Sequence, residues 1–351
     1  MTASPIPAPS DLVPPSADLP VDADAAEPLV RNRRKALLLV VLLAAFAILL
    51  GLAIWYLLFR QPIPLPAPPG QVVMPAYSTS IYGASRPMGV TTAPDGSRIY
   101  VGATSGDLTA RVFDPQGTEL GLMLPPTSTG AEHAPVYLAR HPATGEIYVS
   151  DRSTGAIFIY DADGAYQRKL TVSGASNTFQ PLGLAFDATG NLFVTDVGTV
   201  PQRVLEIDSA GKVMRTIGAE ANLSFPNGVA VDPSGVVYVT DSNNGRLLAF
   251  GADGAIVARV GRGVGGGNLG LPRGVALDGE GRVYVADASG QQVMVFSAVG
   301  SEAGDLRSLG SFGSEGVENG QFEFPNGVAT DSRGRVYVTD SANDRVQVWS
   351  Y

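Results

Sequence analysis

Five aspartates recur at one place in this sequence. Asp151, Asp196, Asp241, Asp287 and Asp340 each close a Tyr/Phe-Val-x-Asp run, and an arginine opens the next strand after three of them (Arg203, Arg246 and Arg345). A carboxylate beside a guanidinium can do acid–base work, or it can hold a loop through charge-assisted hydrogen bonds. Because the pattern repeats, the second role is expected: each aspartate should accept loop amides and pair locally with arginine. Other reactive groups are few. There is no cysteine, which excludes thiolate nucleophiles, disulfides and cysteine metal sites. Two histidines cannot supply a three-histidine metal site. His133 falls in the loop before Pro135 and is a candidate lone general base. His141 takes the place of Asp187 and Asp232 in a turn, so the repeat puts the two histidines on opposite faces, unable to share a site. The run Gly261-Arg-Gly-Val-Gly-Gly-Gly267 lacks the Gly-Lys-Ser/Thr ending and the following helix of a phosphate loop, and reads as a flexible loop. No catalytic residue and no metal ligand set is assigned from these groups.

The elements that must position them are copied along the chain. A Pro-x-Gly start appears as Pro87-Met-Gly89, Pro181-Leu-Gly183, Pro226-Asn-Gly228, Pro272-Arg-Gly274 and Pro325-Asn-Gly327, and a sixth copy, Pro135-Val-Tyr137, lacks the glycine. The prolines lie 48, 46, 45, 46 and 53 residues apart. After each comes a strand ending in Tyr/Phe-Val-x-Asp (Tyr100-Val-Gly-Ala103 in the first copy) and then a third strand such as Arg246-Leu-Leu-Ala-Phe250. A turn such as Asp161-Ala-Asp-Gly164 leads to a fourth strand such as Lys212-Val-Met-Arg-Thr-Ile217. Valine and aromatic residues at alternate positions suit pleated strands. Four strands per unit, six times, predicts an all-β fold, a six-bladed β-propeller with four-stranded blades. The last copy stops at Tyr351 after its third strand, while residues 72–83 resemble the fourth strands. An N-terminal strand is therefore expected to close the last blade and remove its exposed edges.

The middle residue of Pro-x-Gly should ring the mouth of the central channel. In blade order it is Met88, Val136, Leu182, Asn227, Arg273 and Asn326. Three apolar residues from consecutive blades face three polar ones. This two-sided mouth is the candidate ligand-binding site, suited to an anionic or hydrogen-bonding group, because arginine offers fork-shaped donors and asparagine can donate or accept. Loops 124–134, 199–202, 262–271 and 314–323 would form its rim.

The same residues carry a family resemblance. Phe225-Pro-Asn-Gly-Val-Ala-Val-Asp232, Val237-Tyr-Val-Thr-Asp-Ser-Asn-Asn-Gly-Arg246, the segment from Phe324 onward and the spacer from Phe312 to Pro325 resemble NHL repeats, over about residues 71–351. The resemblance implies the propeller fold. Proteins of this kind include extracellular sensor domains of bacterial receptor kinases, protein-binding modules, and a few lyases and hydrolases. The zinc lyases of the fold class need several histidines, so the resemblance does not extend to their chemistry.

The net charge of −9 lies wholly in residues 61–351, which carry 19 basic and 28 acidic side chains. That argues against nucleic acid as a partner. Residues 1–35 read as a disordered cytoplasmic tail rich in Pro, Ala, Ser and Asp. The 24 uncharged residues 36–59 follow Arg31, Arg33, Arg34 and Lys35. At about 1.5 Å per residue they make a helix of roughly 36 Å, enough to cross a bilayer. Trp55 and Tyr56 sit where interfacial aromatics are expected. A signal peptide would have a shorter apolar core and a small-residue cleavage site, so an uncleaved anchor is expected. The positive-inside rule puts the N-terminus in the cytoplasm and the rest outside. Residues 60–70, rich in proline, read as an extended linker to a propeller over 71–351. Three lysines against 21 arginines, with much Ala, Gly and Pro, point to a GC-rich bacterial genome.

The expected function is a membrane-anchored, extracytoplasmic binding or scaffold module that docks a protein, peptide or cell-envelope component, without catalysis and without a cofactor. One alternative is a metal-dependent lyase or hydrolase, with Asn227, Asn326 and a channel carboxylate holding an ion such as calcium. Another is a sensor ectodomain whose output lies in a partner.

Overall fold

The computed structural model of the chain describes residues 27–59, 72–126, 132–262, 267–302 and 304–351. It divides into two compact units, 1–64 and 65–351.

In the first unit one helix runs over Glu27–Phe59, 33 residues. It begins nine residues before the uncharged stretch, because Arg31, Arg33, Arg34 and Lys35 are good helix formers. Pro28 falls in its first turn, where a missing N–H costs no hydrogen bond. The segment Lys35–Leu52 is long and apolar enough to cross a membrane, and side chains such as Leu38, Leu42 and Phe46 are exposed. Such a helix near an N-terminus fits a single-pass anchor or a signal sequence. Residues 1–26, the linker 60–70 and the side chains of Trp55 and Tyr56 lie outside what is described.

The second unit is a six-bladed β-propeller of four-stranded antiparallel sheets. Blade 1 covers residues 87–123, blade 2 135–169, blade 3 181–217, blade 4 226–261 and blade 5 272–312. Blade 6 combines residues 325–350 with the strand Ala76–Tyr82. That strand pairs antiparallel with Arg345–Ser350, from Ala76 opposite Ser350 to Tyr82 opposite Arg345, so the ring closes as the sequence predicts. Blade 6 is joined to blade 1 by the Thr339 hydroxyl donating to Met88 O at 2.8 Å and the Ser332 amide donating to Pro94 O at 2.8 Å.

The burial pattern explains the sequence pattern. Second strands such as Val237–Asp241 and third strands such as Ala156–Tyr160 are buried at every residue, because both faces meet a neighbouring blade. Outer strands alternate or, like Tyr166–Lys169, are exposed throughout. The core is thus a set of wedges between blades; one gathers Val112, Met123, Leu138, Ile147 and Phe158. The tyrosine of the second strand is buried with its hydroxyl satisfied at the first turn: Tyr238 on Asp232, Tyr284 on Asp278 and Tyr337 on Asp331, all within 3.0 Å. Blade 3 has Phe193 there, and Asp187 accepts Asn191 Nδ2 instead.

The innermost strands approach backbone to backbone, and this fixes glycine in Pro-x-Gly. A Cβ at Gly183 would lie 2.3 Å from Asn227 O, one at Gly228 2.6 Å from Arg273 O, and one at Gly327 2.4 Å from Met88 O.

Candidate functional site at the channel mouth

The five repeated aspartates are structural. Each lies where the second strand ends, on the face where the chain enters the innermost strand, and each is almost fully buried. Asp241 accepts the Ser224 amide at 2.7 Å, Asn244 Nδ2 at 2.8 Å and Arg246 Nε at 2.7 Å. Asp340 does the same with the Glu323 amide, Asn343 and Arg345 Nε, and adds Gln347 Nε2 at 2.9 Å. Asp196 takes the Gln180 and Gly198 amides and Arg203. In blade 5 no arginine follows, and Asp287 is satisfied by the amides of Gly270, Leu271 and Gly290. These carboxylates staple the loop before each blade to the turn after its second strand.

Blade 2 has Ala156 where blades 4 and 6 have arginine, and its side-chain partner comes from elsewhere. His133 Nδ1 lies 2.8 Å from Asp151 Oδ2, which also accepts the Ala134 amide. The candidate general base is therefore a blade 2 staple. The signal was legible: an aspartate of the repeat without its arginine needs another partner. His141 lies at the far end of the strand Pro135–Arg140 from His133. Its Nδ1 accepts the amides of Ala143 and Thr144, as Asp187 Oδ1 accepts those of Thr189 and Asn191. The two histidines are not brought together. Residues 263–266 of the glycine-rich run and 127–131 of the first rim loop lie outside the described residues.

The variable Pro-x-Gly residues gather around Tyr137, which stands where the other five copies have glycine. Tyr137 fills the channel. Val136, Tyr137 and Leu182 form one buried cluster, with Met88, Val197 and Phe225 packed against it. From this apolar half the Tyr137 hydroxyl crosses to the polar half, 2.9 Å from Asn227 Oδ1 and 3.5 Å from Asn326 Oδ1. Burial pushes its phenol pKa far up, partly opposed by the nearby Arg273 charge, so it stays protonated and donates. Beyond it the channel continues as a cavity of about 40 Å³, lined by glycines and valines of the innermost strands.

The plug changes the accessibility expected of the mouth. Asn227, Asn326, Val136 and Leu182 are buried, and Met88 and Arg273 are half-buried. Arg273 stacks over the Phe324 ring at 5.7 Å. Asn227 is fully used, its Nδ2 donating to Ser242 at 3.2 Å. Its counterpart is not: Asn326 Nδ2 and Arg273 Nε are buried donors without a hydrogen-bond partner. Two more such atoms among the described residues, Arg111 Nε and Trp349 Nε1, lie in blades 1 and 6 away from the channel. The metal-site alternative fits poorly. Both amide oxygens it requires face the Tyr137 hydroxyl, and the described residues contain no group of three or more His, Cys, Asp or Glu placed to hold a metal.

Comparison with known proteins agrees with this architecture. The NHL repeat profile matches residues 223–250 and 322–349, in blades 4 and 6. Solved structures with the same fold include a streptogramin B lyase (TM-score 0.52, 13% identity, 78% of this chain and 96% of that one). A protein of unknown function from Bacteroides caccae aligns with TM-score 0.52 at 16% identity, over 69% of this chain and 82% of that one. Virginiamycin B lyase from Staphylococcus aureus aligns with TM-score 0.51 at 12% identity, over 76% and 94%. At these identities the likeness is one of fold. No curated protein matches the sequence significantly.

Proposed function

We propose that this chain, an NHL-repeat six-bladed β-propeller, is a non-catalytic binding module that docks a protein, peptide or cell-envelope component through the face bearing the channel mouth. The observation that carries this reading is the pair of buried donors without acceptors, Arg273 Nε and Asn326 Nδ2, at that mouth. A buried donor left unpaired costs about 1–3 kcal/mol, so the site favours an incoming oxygen, and one bearing negative charge most. Exposed apolar side chains on the same face, Leu124, Val200, Val317 and Phe324, supply contact area around it. The lyase reading has less support, because the six mouth positions provide one ionisable side chain, Arg273, and no general base.

Photo-crosslinking from position 317 in cells tests the reading. A discrete adduct should form with the native mouth and disappear in Arg273→Ala/Asn326→Ala. Asn227 is left intact because it supports Tyr137. An adduct of undiminished yield in that variant moves the site away from the channel.

The N-terminal helix serves in this reading as a single-pass anchor with the propeller outside the membrane. The chain has no cysteine, so a single exposed Ser209→Cys reports sidedness. Labelling by an impermeant maleimide in intact cells supports it, and labelling only after lysis reverses the orientation.

A further inference from the structure

A second site lies outside the channel, on blade 4. A cavity of about 370 Å³ opens between the outer edge of that blade and the turn that precedes it, lined by Asn222, Asn244, Arg246, Arg259, Gly261 and Arg262, among others. That volume falls in the range of small-molecule sites. Three guanidinium groups face one cavity in a protein of net charge −9.

The hydrogen bonds separate structural from available charge. Arg246 is committed: its Nε is on Asp241 and its Nη2 donates to Ala221 O at 2.7 Å. Asp241, the carboxylate beside the cavity, is saturated by Ser224, Asn244 and Arg246. Arg262 makes one long contact, Nη2 to Gly270 O at 3.4 Å. The Arg259 side chain has no ion pair or hydrogen bond among the described residues, while its backbone pairs with Leu248 in the sheet. Glu220, the nearest acidic residue in sequence on the preceding turn, is exposed and does not line the cavity. Asp241 offsets Arg246, leaving two arginine charges uncompensated.

The repeat shows that this is specific to blade 4. Strand pairing places Val260 with Ile217 of blade 3 and Phe312 of blade 5, each opposite the second residue of its third strand. By that register, Arg259 corresponds to Thr216 and Ser311, and Arg262 to Ala219 and Ser314. Arginine at both positions, two before and one after the glycine that ends the outer strand, occurs in blade 4 and not in its neighbours. Architecture does not require it, since blades 3 and 5 fold the same way without it.

We infer that this cavity binds a small polyvalent oxyanion, a ligand carrying phosphate or carboxylate groups that Arg259 and Arg262 grip through their forked donors while Arg246 fixes the floor. The site is separate from the channel mouth and does not depend on the reading proposed for it.

Isothermal titration of the full chain in neutral detergent tests this, with pyrophosphate and citrate as probes. At least one should bind saturably, and more weakly as salt rises. Arg259→Gln/Arg262→Gln should weaken that binding roughly tenfold or more, because each loses a charge-assisted contact. Both side chains are exposed, so the variant's thermal transition should match the parent's. Arg333→Gln, an exposed arginine of blade 6 outside both sites, should leave the titration unchanged. Absence of saturable binding by both probes, or equal affinity in the double variant, overturns the assignment. Loss in Arg273→Gln instead would place the anion at the channel.

Discussion

The staples at the loop-bearing face and the donors at the channel mouth are both buried polar groups, yet they are built oppositely. Each aspartate at the end of a second strand is saturated, by two amides and a histidine, arginine or further amide, and the sequence repeats it in five blades. The mouth donors occur once, and two of them have no acceptor. A polar group that recurs in every unit holds that unit, whereas one that breaks the repeat and remains unsatisfied is where function is to be sought. Stability and binding should therefore separate cleanly between the two regions.

The largest effect tests the frame that both regions depend on. Deleting residues 71–83 removes the outer strand of blade 6, including buried Ile81, and strips Val346 and Trp349 of their partners. The cooperative thermal transition should be lost; a variant with an unchanged transition would break the closure. Next comes Asp340→Ala, which strands Arg345, a guanidinium only 4% exposed. Breaking a buried pair this way costs about 3–5 kcal/mol, read from urea denaturation. Tyr137→Phe should cost less, about 1–3 kcal/mol, by leaving the Asn227 amide oxygen without its donor. The smallest effect is the sharpest test of the comparison. Arg273→Met and Asn326→Ala each remove a donor that no described residue satisfies, and should leave stability unchanged or raise it by about 1 kcal/mol, relief of the unpaired donor offsetting lost packing, while abolishing partner capture. A loss of stability as large as that of Asp340→Ala would make the mouth architecture too.

Much of the fold was legible, for a physical reason: each copy of the repeat reports the same constraints. Pro-x-Gly, the Tyr-Val-x-Asp ending and the turn aspartates mark close approach, burial and stapling. The closing strand was readable because a blade lacking its fourth strand leaves an open edge. Of the six mouth positions, Met88, Val136 and Leu182 cluster about Tyr137 and Asn227 and Asn326 meet its hydroxyl, while their service as a ligand site remains the proposal made above. What escaped was the effect of one deviation. At Tyr137 the missing glycine reads as a motif lost, when it is a side chain gained among the mouth residues, packed with Val136 and Leu182 and bonded to Asn227. The arginines at 259 and 262 are not legible as a pair, because one lies in an outer strand and the other inside a glycine-rich run. Only strand register shows that they share a cavity.

The strand Ala76–Tyr82 has a mechanical meaning as well. It runs from the face opposite the mouth toward the mouth face, so a load entering the propeller at Val72 is carried along the strand axis. If a partner holds the mouth face, pulling shears the paired rungs together instead of peeling them one by one. Such a joint resists tension well until it fails at once. Its failure would bare the outer edge of blade 6, the blade whose innermost strand carries Asn326.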